Sequence, residues 1–347
     1  MYRLSGRTKG NYFLVLIWII CAFIDMYNGE NYGGIIYKFF VAAVFAVLAT
    51  YYLLIDFGKL KPITKRKEIW VGVVTIISAL SITLIILGNY DVEVYKHNIK
   101  SKKIPTSFDN FRIVQVSDLH NAEFDKYNST ILAPIFHSEP DIIVITGDMI
   151  DSRNTNVDVA ISFAQKAVNI APVYYVNGNH EKRVPEAYEE LKQGLTEAGV
   201  TILENNTTDI TIGDETITLI GINDSTFPME LVDDTMGQNV AYQLANIVPD
   251  NDNYKVLLAH RPEYFNAYAG QVDLVLSGHA HGGQFIIPFI GGFVAPGQGL
   301  FPEYYKGSYI QENTEMIVSR GVGNSIIPFR INNKPEIVIA ELTKIAD

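Results

Sequence analysis

Eight residues stand out by type and by place: Asp118, His120, Asp148, Asn179, His180, His260, His279 and His281. They fall in five short segments, VSDLH, TGDMID, NGNHE, LAH and SGHAH, and include five of the chain's seven histidines. Carboxylate, amide and imidazole together form the donor mix that suits Zn, Fe or Mn. The chemistry they predict is metal-assisted. Asp118-x-His120 and His279-x-His281 would each place two donors on one side of an extended segment, because side chains in a strand repeat every second residue. Gly147, Gly178 and Gly278 precede or flank three of the donors and permit tight turns with close backbone approach. Taken singly, each segment is weak. A histidine after an apolar strand, such as His260, is more often structural, and a GD or GN dipeptide is usually a turn. Joint order and placement carry the reading. His97 and His137 fit no such pattern and are read as non-ligands.

The elements that must position these residues are legible beside them. FRIVQVSD, PDIIVITGD, APVYYVNGN, KVLLAH, VDLVLSG and EMIVSRG are short, β-branched and bounded by Gly, Asp, Asn or Pro, as buried strands are. Helix-like stretches lie between the early ones, at about 126–138, 156–169 and 185–198, and this alternation predicts an α/β domain. Every donor set comes just after a strand, at the C-terminal sheet edge where loops converge over a rigid base. TILENNTTDITIGDETITLIGIND has a hairpin centre at Gly213 and Asp214, which adds antiparallel strands. Residues 91–109 are polar and read as a juxtamembrane linker or a first strand, with the catalytic domain at 110–347.

The first quarter of the chain is of another kind. Runs at 12–27, 35–57 and 69–90 are mainly apolar and about long enough to cross a roughly 30 Å hydrocarbon core as helices. The first contains Asp25 and could instead be a signal-peptide core, but no A-x-A-like site follows it. Arg3, Arg7 and Lys9 precede the first run, and Lys59, Lys61, Lys65, Arg66 and Lys67 lie between the second and third. Both basic segments are expected inside, so three crossings would put the catalytic domain outside the cytoplasm of a multi-pass membrane protein. Losing one helix from the count would reverse that. Residues 1–70 carry a net charge of +5 and the remainder −16. So acidic a domain argues against nucleic acid as a partner, because phosphate backbones are held by clustered Lys and Arg. Cys21 is the only cysteine and excludes an intrachain disulfide.

The succession D118-L-H120, G147-D148-M-I-D151, G178-N179-H180-E181, a lone H260 and G278-H279-A-H281 resembles the five-block signature of the calcineurin-like metallophosphoesterases. The likeness covers about residues 110–343. Its tail, with GHAHGGQ, LFPEYYKGSYI and VSRGVGNSIIPFRINNKPEIVIAEL, resembles the bacterial membrane-anchored, cell-envelope branch. The resemblance implies an α/β metallophosphatase-type sandwich of two mixed β-sheets flanked by helices. It further implies two metal ions, divalent or trivalent: Asp118, His120 and His281 on one, Asn179, His260 and His279 on the other, and Asp148 bridging. His180 would be a catalytic acid near the leaving oxygen, while Asp151 and Glu181 would support the inner residues.

Two such ions, about 3.5–4 Å apart, clamp phosphate oxygens and turn a shared water into hydroxide at neutral pH. The expected function is therefore a membrane-anchored phosphoester hydrolase, with a lipid-linked or cell-envelope phosphoester as the substrate suggested by the anchor. The alternatives are a membrane-tethered binding or sensor protein that keeps the fold without turnover, and a metallohydrolase of another ester or amide. The chain has no HExxH motif to favour the latter. The run FIIPFIGGFVAP at 285–296 reads as a core strand and turn, with an apolar lip near a bilayer or an acyl chain as the other reading.

Overall fold

The computed structural model describes residues 91–124, 128–224, 234–324 and 329–346, with residues 89 and 327 and scattered positions before them. The chain divides into two compact units, Met1–Gly88 and Asn89–Asp347. In the first, the described positions are helical apart from a turn at Phe57. Most of the three apolar runs lies outside the described residues, and among those described no helix is long and apolar enough to cross a membrane.

The second unit begins with β1 (Glu93–Ser101), β2 (Arg112–Val116), α1 (Ser129–His137), β3 (Ile142–Thr146), α2 (Val157–Ala167) and β4 (Val173–Val176). It continues with α3 (Asn179–Arg183), α4 (Pro185–Ala198), β5 (Thr201–Ile202), β6 (Asn206–Ile212), β7 (Glu215–Gly221), α5 (Asp234–Ile247) and β8 (Tyr254–Leu258). Next come α6 (Phe265–Tyr268), β9 (Leu274–Ser277), and four two-residue strands: β10 (Ile286–Ile287), β11 (Gly291–Gly292), β12 (Val294–Ala295) and β13 (Gly299–Leu300). β14 (Gly307–Gln311), β15 (Thr314–Val318) and β16 (Glu336–Lys344) close the chain.

Two six-stranded mixed sheets result, ordered β1-β16-β2-β3-β4-β5 and β14-β15-β9-β8-β7-β6. Strands β2 to β5 are parallel, as are β7, β8, β9 and β15, whereas β16 is antiparallel to β2 and β6 to β7. Period-two alternation sorts each strand's apolar residues into two layers. On β3, Ile142 and Val144 face a core shared by both sheets, with Val256, Leu258, Leu274 and Leu276 from β8 and β9. Ile143 and Ile145 turn the other way, onto Ile131, Ile135, Phe163, Leu191 and Leu195 of α1, α2 and α4. Leu257 and Val275 similarly leave the central core to meet Val240 and Leu244 of α5. The unit is thus a four-layer sandwich with the sheets inside, held by three apolar interfaces.

Local signals set the helix ends. The Asn156 side chain accepts the Asp158 N–H at 3.1 Å and caps α2. Pro185 opens α4 where a missing N–H is harmless, and Gly199 at φ +93° stops it. Residues 91–109 take the strand alternative rather than the linker. β1 pairs in parallel with all nine residues of β16, so the folded unit starts at Asn89, ahead of the boundary expected at 110. The reason is tertiary: β1 finds its partner at the far end of the chain.

Candidate metal centre

Strand ends bring the predicted residues together. Beyond β2 come Asp118 and His120, beyond β3 Asp148 and Asp151, beyond β4 Asn179, His180 and Glu181, beyond β8 His260, and beyond β9 His279 and His281. All are buried. They do not sit in extended segments: Asp118, His120, Asp148, His279 and His281 have φ between +46° and +65°. The paired donors therefore converge through left-handed turns, not through strand alternation. Non-glycine residues adopt this conformation at a cost, and it concentrates at functional sites.

Three overlapping groups offer donor atoms within 4.8 Å of one another: Asp118–His120–His281, His120–Asp148–His180 and Asp148–His260–His279. In the first, the Nε2 atoms of His120 and His281 face each other at 3.2 Å, with Asp118 Oδ1 at 3.8 and 3.6 Å from them. In the last, His260 Nε2 lies 3.2 Å from Asp148 Oδ2, 3.1 Å from His279 Nδ1 and 3.3 Å from Asn179 Oδ1. Asp148 Oδ2 is also 3.6 Å from His120 Nε2. One carboxylate oxygen thus addresses both groups.

Hydrogen bonds aim these side chains. Asp148 Oδ1 accepts the His180 N–H at 2.8 Å, which leaves Oδ2 to the cluster. His260 Nδ1 stands 2.7 Å from the Thr146 carbonyl, an acceptor only, so the neutral ring holds its proton on Nδ1 and would turn the Nε2 lone pair to the site. His180 is the opposite case. Its Nδ1 accepts the Ser152 N–H at 3.0 Å, so the neutral ring holds its proton on Nε2. Asp151 Oδ1 is 3.6 Å from the same Nδ1, too far to compete for it, and its oxygens accept from Arg153. Glu181, fully buried, accepts the N–H groups of Asp148, Gly178 and Ile150 at 2.9, 2.7 and 3.1 Å. It ties the β3 loop to the β4 loop.

Glycines permit the approach. A Cβ on Gly178 would lie 2.2 Å from Asp148 Oδ1, and one on Gly278 would lie 1.9 Å from Ser117 Oγ. Residues 320–324 close over the Asp118 loop, where Val322 and Gly323 donate to the carbonyls of Ser117 and Asp118 at 3.0 and 2.7 Å. Arg330 clamps them, its guanidinium donating to the carbonyls of Arg320 and Gly323 and to Asn324 Oδ1.

The electrostatics call for positive charge. Burial would raise the Asp118 carboxyl, but facing His281, His120 and His260 bring it down to about 2. Asp148 is likewise held well below the carboxylate range against its burial, first by His260 and His180. His260 is driven up to about 10, its burial outweighed by Asp148, whereas burial and neighbouring cations take His281 down to about 3. Burial and the Asp148 charge push Glu181 up to about 7. Buried carboxylates facing convergent imidazole nitrogens fit divalent or trivalent cations, and the mixed N/O donors fit Mn, Fe or Zn.

Three residues at the site carried no expectation. Arg261 Nε donates to Asp224 at 2.7 Å, and its Nη1 lies 3.2 Å from Glu263 Oε1 and 3.3 Å from His279 Nε2. Glu263 Oε1 is itself 3.5 Å from His279 Nε2. Asp224 and Arg261 obey the same rule as the expected residues, each closely following a strand end, so charged residues there were the available signal. His97 and His137 lie on β1 and at the end of α1, outside the three donor groups.

The calcineurin-like phosphoesterase profile matches residues 111–283, the stretch that supplies all these donors except the 320–330 clamp. Uncharacterized metallophosphoesterase YkuE of Bacillus subtilis (strain 168) is 31% identical over 258 residues, covering 72% of this chain and 85% of the relative. Phosphodiesterase YaeI of Escherichia coli (strain K12) is 27% identical over 237 residues, covering 67% and 82%. Blocks of donors in this order, on this fold and with this likeness leave one conclusion: the chain belongs to the calcineurin-like phosphoesterase family.

Proposed function

We propose that this phosphoester hydrolase binds two metal ions, one held by Asp118, His120 and His281 and the other by Asn179, His260 and His279, with Asp148 shared. The observation that carries this is the position of Asp148 Oδ2, 3.6 Å from a ring nitrogen of one set and 3.2 Å from one of the other. When bound, such ions neutralise phosphate oxygens and lower the pKa of water from 15.7 to about 7. His180 is assigned to the leaving group. Its Nε2–H, fixed by the Ser152 N–H on Nδ1, is a donor and not a ligand, and general acid catalysis of this kind is worth about 10²–10⁴ in rate. Glu181 ties together the loops that present Asp148 and His180, and Asp151 orders the turn at Ser152 by accepting from Arg153.

Membrane anchoring is part of this proposal: the apolar runs at 12–27, 35–57 and 69–90 support it, and their flanking basic residues favour a catalytic unit outside the cytoplasm. A phosphoester on a lipid or envelope component is the substrate class that fits such an anchor. The name of the Escherichia coli relative favours a diester.

The test is hydrolysis of an aryl phosphodiester and an aryl phosphomonoester by the metal-loaded full chain, beside Asp148→Ala and His180→Ala. Asp148→Ala should lose metal and activity together, and His180→Ala should fall about 10²–10⁴-fold with its metal retained. Equal background in all three proteins would favour the binding-protein reading instead.

A further inference from the structure

Just past His281 the chain runs from Phe285 to Phe301 without one charged residue. It folds as two short ladders, β10 with β11 and β12 with β13. Phe293 N–H donates to the carbonyls of Gly283 and Phe285 at 3.0 and 2.8 Å, and Ile286 N–H to that of Ile331 at 3.0 Å. Phe285, Phe293, Phe301 and Phe329 form a chain of ring contacts with centroids 5.5–6.4 Å apart. This is a built platform, secured to the loop that carries His281 by the Asn333 side chain, which donates to the His281 carbonyl at 2.7 Å.

The platform's outer side is apolar and open. Phe289 is wholly exposed, Ile290 and Leu300 are 65% and 61% exposed, and Phe301 and Ile331 are exposed as well. Phe289 caps a turn closed by the Ile290 N–H on the Ile287 carbonyl at 3.1 Å, with Pro288 second and Phe289 third at φ +67°. That third position normally takes glycine or asparagine. An aromatic held there, in an unfavourable backbone and fully in solvent, gains nothing for the fold. The core-strand reading of 285–296 is therefore met only in part: Ala295 is buried, whereas Phe289 and Ile290 face outward.

The chain enters the unit close to this platform. Asn89, the first residue of the unit, exchanges side-chain hydrogen bonds with the backbone of Arg330, donating to its carbonyl at 3.3 Å and accepting its N–H at 2.9 Å. Arg330 directly precedes Ile331, which pairs with Phe285. Asn89, where the chain enters the unit, is thus held next to the residue that pairs with the platform.

We infer that Phe289, Ile290, Leu300 and Phe301 dock the catalytic unit on a lipid surface, which places the metal centre at the headgroup level. This deepens the function proposed above and rests on its membrane-anchored reading. An uncharged patch edged by aromatic and branched aliphatic side chains is the composition that enters the headgroup–acyl boundary.

The test uses the full chain in phosphatidylethanolamine–phosphatidylglycerol vesicles, in a Cys21→Ser background. Single nitroxide labels go at Phe289→Cys, Phe301→Cys, Tyr242→Cys on α5, and Val47→Cys in the second apolar run. Collision with oxygen is compared with collision with a water-soluble nickel chelate. Labels at 289, 301 and 47 should favour oxygen, and the label at 242 should favour nickel. Nickel-favoured collisions at 289 and 301, with 47 still in lipid, would overturn the docking and leave the anchor standing. Nickel-favoured collisions at 47 would remove the anchor and the inference with it. An oxygen-favoured label at 242 would also overturn the assignment, by showing contact that is not specific to the lip.

Discussion

Gly178→Ala isolates the position of the shared carboxylate. Gly178 has φ −117° and ψ −170°, an extended conformation that alanine adopts freely, so no backbone strain enters. The added methyl would instead stand 2.2 Å from Asp148 Oδ1, where ordinary contact begins at 3.4 Å, so about 1.2 Å of movement is required. The Asp148 backbone nitrogen, 2.7 Å away, blocks the easy direction. Asp148 would have to give up the His180 N–H and carry Oδ2 away from the two imidazoles it faces. A displacement of about 1 Å at a reacting centre costs on the order of 10²-fold in rate, or about 2.7 kcal/mol of transition-state stabilisation. Overpacking adds about 1–3 kcal/mol of instability. Measurement of kcat/KM on an aryl phosphodiester at saturating Mn, with circular dichroism to confirm folding, gives both quantities. A folded variant within about threefold of the parent would refute the placement of Asp148 as the shared ligand. Gly237→Ala on α5 is the matched control, since nothing lies within 4 Å of its added methyl. It should leave the rate unchanged and gain up to about 1 kcal/mol of stability.

Glu263→Gln removes the carboxylate facing His279 Nε2 at 3.5 Å, and should weaken one of two metal equivalents by about 10–100-fold in a chelator competition while the other is unchanged. Glu181→Ala leaves the N–H groups of Asp148, Ile150 and Gly178 without their acceptor, and should cost about 3 kcal/mol or more in chemical denaturation. Arg330→Lys loses the planar fork that reaches Arg320, Gly323 and Asn324, and should lower stability by about 2–4 kcal/mol in the same assay. Treatment with a strong chelator should abolish hydrolysis, with recovery on adding back Mn, Fe or Zn.

The strands and helices of the catalytic unit were legible because each announces itself locally. Ile142–Thr146 is β-branched and ends in Gly-Asp, Asn156 caps its own helix, and Gly199 ends another. The donors were legible for a related reason: each is punctuated by a strand before it and often by a glycine beside it. How they meet was not. Strand alternation suggested paired donors in extended chain, whereas left-handed turns at Asp118, His120, His279 and His281 bring them together. Backbone conformation of that kind is imposed by neighbouring loops, such as residues 321–323 lying against Asp118, and has no local signature.

By itself, then, the sequence determined which residue types stand at the C-terminal ends of the strands, and so which chemistry is available. Only tertiary structure decided that β1 belongs to the sheet, because its partner β16 lies more than two hundred residues away. It likewise recruited Asp224, Arg261 and Glu263 to the imidazole of His279 and turned Phe289 outward into solvent. Each of these depends on contacts between segments far apart in the chain, whose pairing is a property of packing and cannot be read from any one stretch of residues.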